Sequence, residues 1–183
     1  MVLVVTIKRT VVRGFLIGGM KKLIYTEENF ITPEECQELI ELSKANPDEM
    51  PYGDESRGGN TYLTTLDGIY FESQKNNAVD KVTNVCKTFD NRVLIDYAGV
   101  VRWPSGTFMK PHIDPHRPNQ EPDLFAAVLY LNDDFDGGYT CFDEYEIKPE
   151  TGKLLIFSNS IYKHSVSKIE GGERFALSIW YNQ

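Results

Sequence analysis

The sequence predicts a mainly β fold with N-terminal helices, in which the strands form a double-sheet jelly roll. Two segments before residue 90 have the apolar spacing of helices, and from residue 93 the apolar residues recur at every second position. Turn signals such as 104–106 and 171–172 divide that second part into about eight short runs. Helices followed by many short strands are typical of a helix-buttressed β architecture.

The first element is a short strand at 23–25, followed by a helix with a clear start. Thr32 is placed to cap this helix, Pro33 takes the first helical position, and Glu35 completes a capping box. Its apolar stripe continues to about Ala45, so we expect the helix to end there.

The segment 46–59 is polar and contains several Pro and Gly residues, so we interpret it as a long loop that serves as a mobile lid. Residues 62–63 begin a possible strand, and a second helix is expected over 72–89. An apolar stripe that includes Ala78 and Val82 supports this second helix.

The remaining elements are strands. Alternating apolar residues predict them at 93–103, 108–113, 125–131, 139–142, 145–147, 153–157, 164–167 and 174–181.

Residues 1–19 place their basic residues after an apolar run, which is the reverse of a signal peptide. We interpret them as an N-terminal extension that is not part of the natural domain, which would begin near Met20 and form one domain over 20–183. An additional arm or strand is the alternative interpretation.

Composition limits the classes of partner and compartment. The formal net charge of −8 argues against a broad nucleic-acid surface. No apolar run approaches the roughly 20 residues of a membrane span, so we expect no membrane partner. The odd number of cysteines, at positions 36, 86 and 141, argues against a disulfide framework and favours the cytoplasm.

His112 and Asp114 are the first candidate metal ligands, because residues two apart on a strand point to one face. His164 follows far along the chain, and Arg174 lies ten residues after it. Two histidines and a carboxylate that leave three positions open are the ligand set of non-haem Fe(II) oxygenases. His116 is a rival ligand, but the prolines beside it disfavour a continued strand, so we assign it to a loop near the substrate.

The chain from about Met20 to Tyr181 resembles the 2-oxoglutarate- and Fe(II)-dependent dioxygenases of the prolyl 4-hydroxylase type. The segments that carry this resemblance are Phe-Ile-Thr-Pro-Glu-Glu-Cys at 30–36, Trp-Pro-Ser-Gly at 103–106, His-Ile-Asp at 112–114, Val-Leu-Tyr-Leu-Asn at 128–132, Gly-Gly-Tyr-Thr at 137–140, Gly-Lys-Leu-Leu-Ile-Phe at 152–157, His164, and Arg-Phe-Ala-Leu-Ser-Ile-Trp-Tyr at 174–181. The resemblance implies a double-stranded β-helix, which is a cupin-like jelly-roll core.

The resemblance also implies roles for individual residues. His112, Asp114 and His164 would hold Fe(II), and Arg174 would bind the distal carboxylate of 2-oxoglutarate. The other residues expected to bind the co-substrate are Tyr130, Thr140, Ser178 and Trp103, and those expected on the substrate side are Trp180, His116 and Arg102. Many prolyl hydroxylases carry a tyrosine where this chain has Trp103, so the hydroxyl contact of that tyrosine is missing.

The reaction implied is hydroxylation of a C–H bond with 2-oxoglutarate and O2 as co-substrates, ascorbate as a possible auxiliary, and succinate and CO2 as products. Halogenating relatives have a small residue in place of Asp114, so its carboxylate indicates hydroxylation. The expected substrate is a prolyl residue in a peptide or protein. A free amino acid or another small molecule, a non-catalytic binding protein of the same fold, and a zinc hydrolase are the alternatives.

Overall fold

The helices lie early in the chain of this computed structural model, which describes residues 9–17, 20–45, 50–52, 58–59, 61–65, 77–114 and 124–183. Within them, helix α1 spans Pro33–Ala45 and helix α2 spans Ala78–Phe89. The strands are β1 (Arg9–Ile17), β2 (Met20–Glu27), β3 (Met50–Tyr52), β4 (Thr61–Thr65), β5 (Leu94–Pro104), β6 (Met109–His112), β7 (Phe125–Tyr130), β8 (Asp136–Gly137), β9 (Thr140–Phe142), β10 (Glu146–Ile147), β11 (Leu154–Phe157), β12 (His164–Val166), β13 (Ile169–Glu170) and β14 (Glu173–Asn182).

The strands form one large and one smaller antiparallel sheet. The large sheet has the order β1-β2-β11-β7-β14-β5-β4-β3, the smaller sheet has the order β10-β9-β12-β6, and β13 pairs with β8 separately. Phe142 of the smaller sheet packs against Tyr130 and Phe157 of the large one, so the two sheets face each other. This arrangement confirms the predicted mainly β jelly roll with N-terminal helices.

The large sheet has two different faces because successive side chains of a strand alternate. On β14, Phe175, Leu177 and Ile179 face the helices and belong to the main apolar core. Arg174 and Ser178 of the same strand point to the opposite face, where they line a cavity between the sheets. The core and the cavity therefore share the central strands.

Helix α1 begins at the predicted capping box. The Thr32 N–H donates to the Glu35 carboxylate over 3.0 Å, and the Glu35 N–H donates to the Thr32 hydroxyl over 3.2 Å. Helix α2 begins at Ala78, and the predicted earlier part at 72–76 lies outside the described residues.

Two N-terminal segments, interpreted from the sequence as a loop and an extension, form strands. Residues 50–52, predicted as part of a loop over 46–59, form strand β3, because their backbone pairs with β4; segments 46–49 and 53–57 of that proposed lid lie outside the described residues. Strand β1, within the proposed extension 1–19, pairs along β2. The domain boundary near Met20 stays a prediction. No helix among the described residues is long and apolar enough to cross a membrane.

Candidate active site

The smaller sheet brings His112 and His164 together although they are distant in sequence. His112 ends β6, His164 opens β12, and these two residues are direct partners in the antiparallel register. Asp114 lies two positions beyond the end of β6, so it belongs to the following loop rather than to the predicted strand. One ligand atom from each of the three residues lies within 4.8 Å of the other two.

The three side chains point their metal-binding atoms at one another. The Oδ1 atom of Asp114 is 3.0 Å from Nε2 of His112 and 3.9 Å from Nε2 of His164. The two imidazole rings lie 4.3 Å apart between centroids. This separation suits three ligands around one divalent cation, with the remaining coordination positions on the side of the cavity.

Outer hydrogen bonds fix the orientation of all three side chains. Nδ1 of His112 lies 2.8 Å from the carbonyl of Lys110, and Nδ1 of His164 lies 3.2 Å from that of Tyr162. Because a carbonyl only accepts, each Nδ1 carries the proton and leaves the Nε2 lone pair free for a metal. The Trp180 indole N–H donates to Asp114 Oδ2 over 2.8 Å, which leaves Oδ1 towards the histidines.

The electrostatics favour the protonation states that bind a metal. Burial would raise the pKa of Asp114, but the adjacent imidazoles of His112 and His164 and the hydrogen bond from the Trp180 N–H lower it to about 2. Burial lowers the pKa of His164, despite the opposing effect of Asp114. The carboxylate is therefore ionised and His164 is neutral near pH 7, as ligation requires.

Arg174 lies at the other end of the cavity and is only 2% exposed. Its guanidinium carbon is 5.5 Å from the centroid of the Trp103 ring and 5.3 Å from that of Tyr130. Among the described residues, the Nε atom has no hydrogen-bond partner and no carboxylate pairs with the guanidinium. A buried cation with a free donor requires an anion, so this end fits the distal carboxylate of 2-oxoglutarate.

Polar groups and a glycine complete the arginine end. The Tyr130 hydroxyl is 2.6 Å from Oγ1 of Thr140, and both residues are buried. Gly138 has a φ of +64°, and a Cβ there would lie 3.0 Å from Cδ of Arg174 and 2.7 Å from the Phe135 ring. Gly138 therefore supplies both a left-handed turn and the space that the arginine stem occupies.

One cavity of about 80 Å³ connects the two ends. Arg174, Ser178 and Trp180 follow one another along a single face of β14, from the arginine end to the metal end. The residues that line the cavity are Val101, Trp103, Met109, His112, Asp114, Ala126, Ala127, Val128, Thr140, Phe157, His164, Val166, Arg174, Ser178 and Trp180. The walls between the two polar ends are mostly apolar, as is typical of small-molecule sites.

The structure does not bring every candidate residue to this cavity. Arg102 lies on the opposite face of β5 from Trp103, stacks on Tyr62 and forms an ion pair with Glu173 at 2.9 Å. His116 lies outside the described residues. Sequence reasoning also missed apolar wall residues such as Val101, although its alternation with Trp103 was a usable signal.

Part of the chain is similar in sequence to known proteins. The profile of the 2OG-Fe(II) oxygenase superfamily matches residues 98–182. Mouse prolyl 3-hydroxylase 2 is 37% identical over 65 residues, which cover 31% of this chain and 9% of that protein. Human prolyl 3-hydroxylase 1 is 35% identical over an alignment of the same length and the same shares. The chain thus matches only a small part of these much longer relatives.

Solved structures share the fold at low identity. Prolyl-4-hydroxylase from Pseudomonas putida has a TM-score of 0.68 at 18% identity, covering 87% of this chain and 92% of that one. The collagen prolyl hydroxylase of Paramecium bursaria Chlorella virus-1, solved with 2-oxoglutarate, has a TM-score of 0.67 at 19% identity, covering 86% and 94%. The chain is therefore similar to the 2OG-Fe(II) oxygenase superfamily over residues 98–182, and it shares the fold of these two hydroxylases.

Proposed function

We propose that this protein hydroxylates a C–H bond of a prolyl residue in a peptide or protein, using Fe(II), 2-oxoglutarate and O2. Succinate and CO2 are the proposed co-products, and ascorbate is a proposed auxiliary reductant. The observation that carries the proposal is the buried guanidinium of Arg174, whose Nε has no hydrogen-bond partner among the described residues, in the same cavity as the ligand set His112, Asp114 and His164.

In this proposal the residues of the chain bind, orient and shield the metal and the co-substrate. His112, Asp114 and His164 would hold the metal from one side, and Trp180 keeps the carboxylate in place. Arg174 would bind the distal carboxylate of 2-oxoglutarate beside the polar pair formed by Tyr130 and Thr140. The bound metal and co-substrate supply the oxidation of the C–H bond, so no acid–base pair is required of the protein.

The substrate class rests on similarity. The curated relatives are prolyl 3-hydroxylases, and one structural neighbour is a prolyl hydroxylase from Trichoplax adhaerens in complex with a peptide fragment, with a TM-score of 0.65 at 18% identity over 86% of this chain and 82% of that one. A peptide or protein substrate is accordingly favoured over a free amino acid. The position of hydroxylation on the ring is left to the experiment, since the neighbours include both 3- and 4-hydroxylases.

The test is a screen of proline-containing peptides, free proline and other amino acids with Fe(II), 2-oxoglutarate and O2. The expected result is a product of increased mass, by one oxygen atom, together with an equal amount of succinate. Succinate formation without a hydroxylated peptide would overturn the prolyl substrate and keep the dioxygenase. No consumption of 2-oxoglutarate would support the binding-protein and zinc-hydrolase alternatives.

A further inference from the structure

The side chain of Asn132 extends the large sheet beyond the end of β7. Strand β7 ends at Tyr130, and the next N–H, from Leu131, still donates to the carbonyl of Phe175 over 3.0 Å. Beyond that point the amide of Asn132 replaces the missing strand. Its Nδ2 donates to the carbonyl of Glu173 over 2.7 Å, and its Oδ1 accepts the N–H of Phe175 over 2.7 Å.

These two backbone groups flank Arg174. In a strand, the backbone N–H and C=O groups of neighbouring residues point to opposite sides. Those of Arg174 therefore point towards β5, where Arg174 is the partner of Trp103. The backbone around the arginine is thus held on one side by β5. On the other side it is held by the Asn132 side chain and, at the Phe175 carbonyl, by the Leu131 N–H. The amide has only one consistent orientation, because an N–H must donate to its oxygen and a carbonyl must accept from its nitrogen.

We propose that Asn132 is a positioning residue for the 2-oxoglutarate carboxylate, acting through the backbone at Arg174. This inference rests on the proposed function of Arg174. A long side chain amplifies any rotation of the backbone at its base, and a two-point contact between guanidinium and carboxylate tolerates little misalignment. Asn132 touches neither the cavity nor the metal ligands among the contacts of the described residues, so its effect reaches the ligand only through Arg174.

The neighbouring residue provides a matched control for a purely structural role. Asp133 fastens the same loop to Thr151, accepting the Thr151 N–H over 3.2 Å and its hydroxyl over 3.0 Å. Like Asn132, it holds the loop in place, but it does not contact the backbone next to Arg174. Asp133→Ala should therefore lower thermal stability without weakening 2-oxoglutarate binding.

The experiment compares the whole metal-loaded chain with Asn132→Ala, Asp133→Ala and Arg174→Ala, and with the double variant of Asn132 and Arg174. Affinity for 2-oxoglutarate is measured with Mn²⁺ and without O2, through the fluorescence of the two tryptophans, of which Trp103 stacks on Arg174. Mn²⁺ affinity without 2-oxoglutarate is measured separately. Asn132→Ala should weaken 2-oxoglutarate binding roughly tenfold, the effect typical of losing an outer-layer partner, with Mn²⁺ affinity unchanged.

The double variant should bind 2-oxoglutarate as weakly as Arg174→Ala alone, because residues acting in series are not additive. Equal weakening by Asn132→Ala and Asp133→Ala, or none by Asn132→Ala, would overturn the positioning role alone. Unchanged binding in Arg174→Ala would instead overturn the co-substrate assignment and this inference with it. If Asn132→Ala does not fold, Asn132→Ser is held to the same criteria, since one hydroxyl does not span both backbone groups.

Discussion

The two ends of the cavity are built in different ways. The metal end comes from two short strands of the smaller sheet and a loop, and its side chains are partly exposed, at 26% for His112, 18% for Asp114 and 11% for His164. The arginine end lies on the long central strands of the large sheet, and Arg174 is 2% exposed. Charge is therefore accessible at one end and deeply buried at the other.

The two ends also differ in how many of their polar groups have partners when no ligand is bound. Asp114 Oδ2 accepts the Trp180 N–H, and Asp114 Oδ1 lies 3.0 Å from His112 Nε2, so both carboxylate oxygens have close neighbours in the protein. Arg174 keeps a free Nε donor, and among the described residues no carboxylate pairs with it. An uncompensated buried charge is destabilising. Binding of an anion should therefore stabilise the arginine end more than binding of a cation stabilises the metal end.

The strongest way to break the metal end is to remove a ligand. His112→Ala should abolish metal-dependent turnover, because the two remaining ligands cannot fix three sites of coordination. The measurement is Mn²⁺ or Fe(II) binding together with 2-oxoglutarate consumption. Lys110→Ala is the control, since only the backbone carbonyl of Lys110 contacts His112. Full turnover in His112→Ala would show that the assigned metal site is wrong.

The arginine end should respond next most strongly. A broken charged pair costs about 2–5 kcal/mol, so Arg174→Ala should raise the apparent constant for 2-oxoglutarate roughly 30-fold or more. Arg174→Lys should recover only part of the affinity, because a point charge lacks the two-pronged contact. We expect 2-oxoglutarate to raise the melting temperature of the unsubstituted protein, and this stabilisation should nearly disappear in Arg174→Ala. An unchanged thermal shift would contradict the assignment.

Much of the difference between the two ends could be predicted from sequence, because side chains alternate between the two faces of a strand. The spacing of His112 and Asp114 predicted that they lie together, and they do, although Asp114 lies in the loop after β6 and not on the strand. The phase of Arg174, Ser178 and Trp180 predicted one wall, and these residues line the cavity. The pairing of His112 with His164, by contrast, is a register between two strands, and no local pattern specifies a register over that distance.

The sequence predictions that differ from the structure have specific physical causes. Arg102 was assigned to the substrate side, yet it lies one position from Trp103 and so on the other face, where Glu173 and Tyr62 contact it. Strand β3 lies in a polar segment whose composition does not predict a strand. It forms because its backbone pairs with β4. The hydrogen bond from Trp180 to Asp114 requires coordinates, since tryptophan in a strand is first an apolar residue.

A smaller effect is expected from the partner that orients the metal end. Trp180→Phe keeps the aromatic ring but removes the N–H that donates to Asp114 Oδ2. Metal affinity should fall roughly tenfold, as is typical for outer partners of metal ligands. The measurement is a Mn²⁺ titration, with Tyr97→Phe as the matched aromatic control, because Tyr97 contacts the Trp180 ring without touching Asp114. Equal loss in both variants would point to packing rather than to the hydrogen bond.

The smallest effect concerns pH and the metal-free protein. Burial lowers the pKa of His164, so the unfolded chain binds a proton more readily, and the free energy of unfolding should fall as the pH drops below about 6.5. The pKa of Asp114 is lowered to about 2, so its stabilising contribution is complete above about pH 4 and is lost as the pH falls towards its folded value. Both groups therefore act in the same direction, but in separate windows. Denaturant unfolding at a series of pH values should give a two-step decline, and Asp114→Asn should shrink the lower step while the upper one remains. Asp90, whose pKa the neighbouring Arg92 also lowers to about 2, should keep part of the lower step. A lower step of unchanged size in Asp114→Asn would show that other carboxylates, not the metal end, set the acid stability.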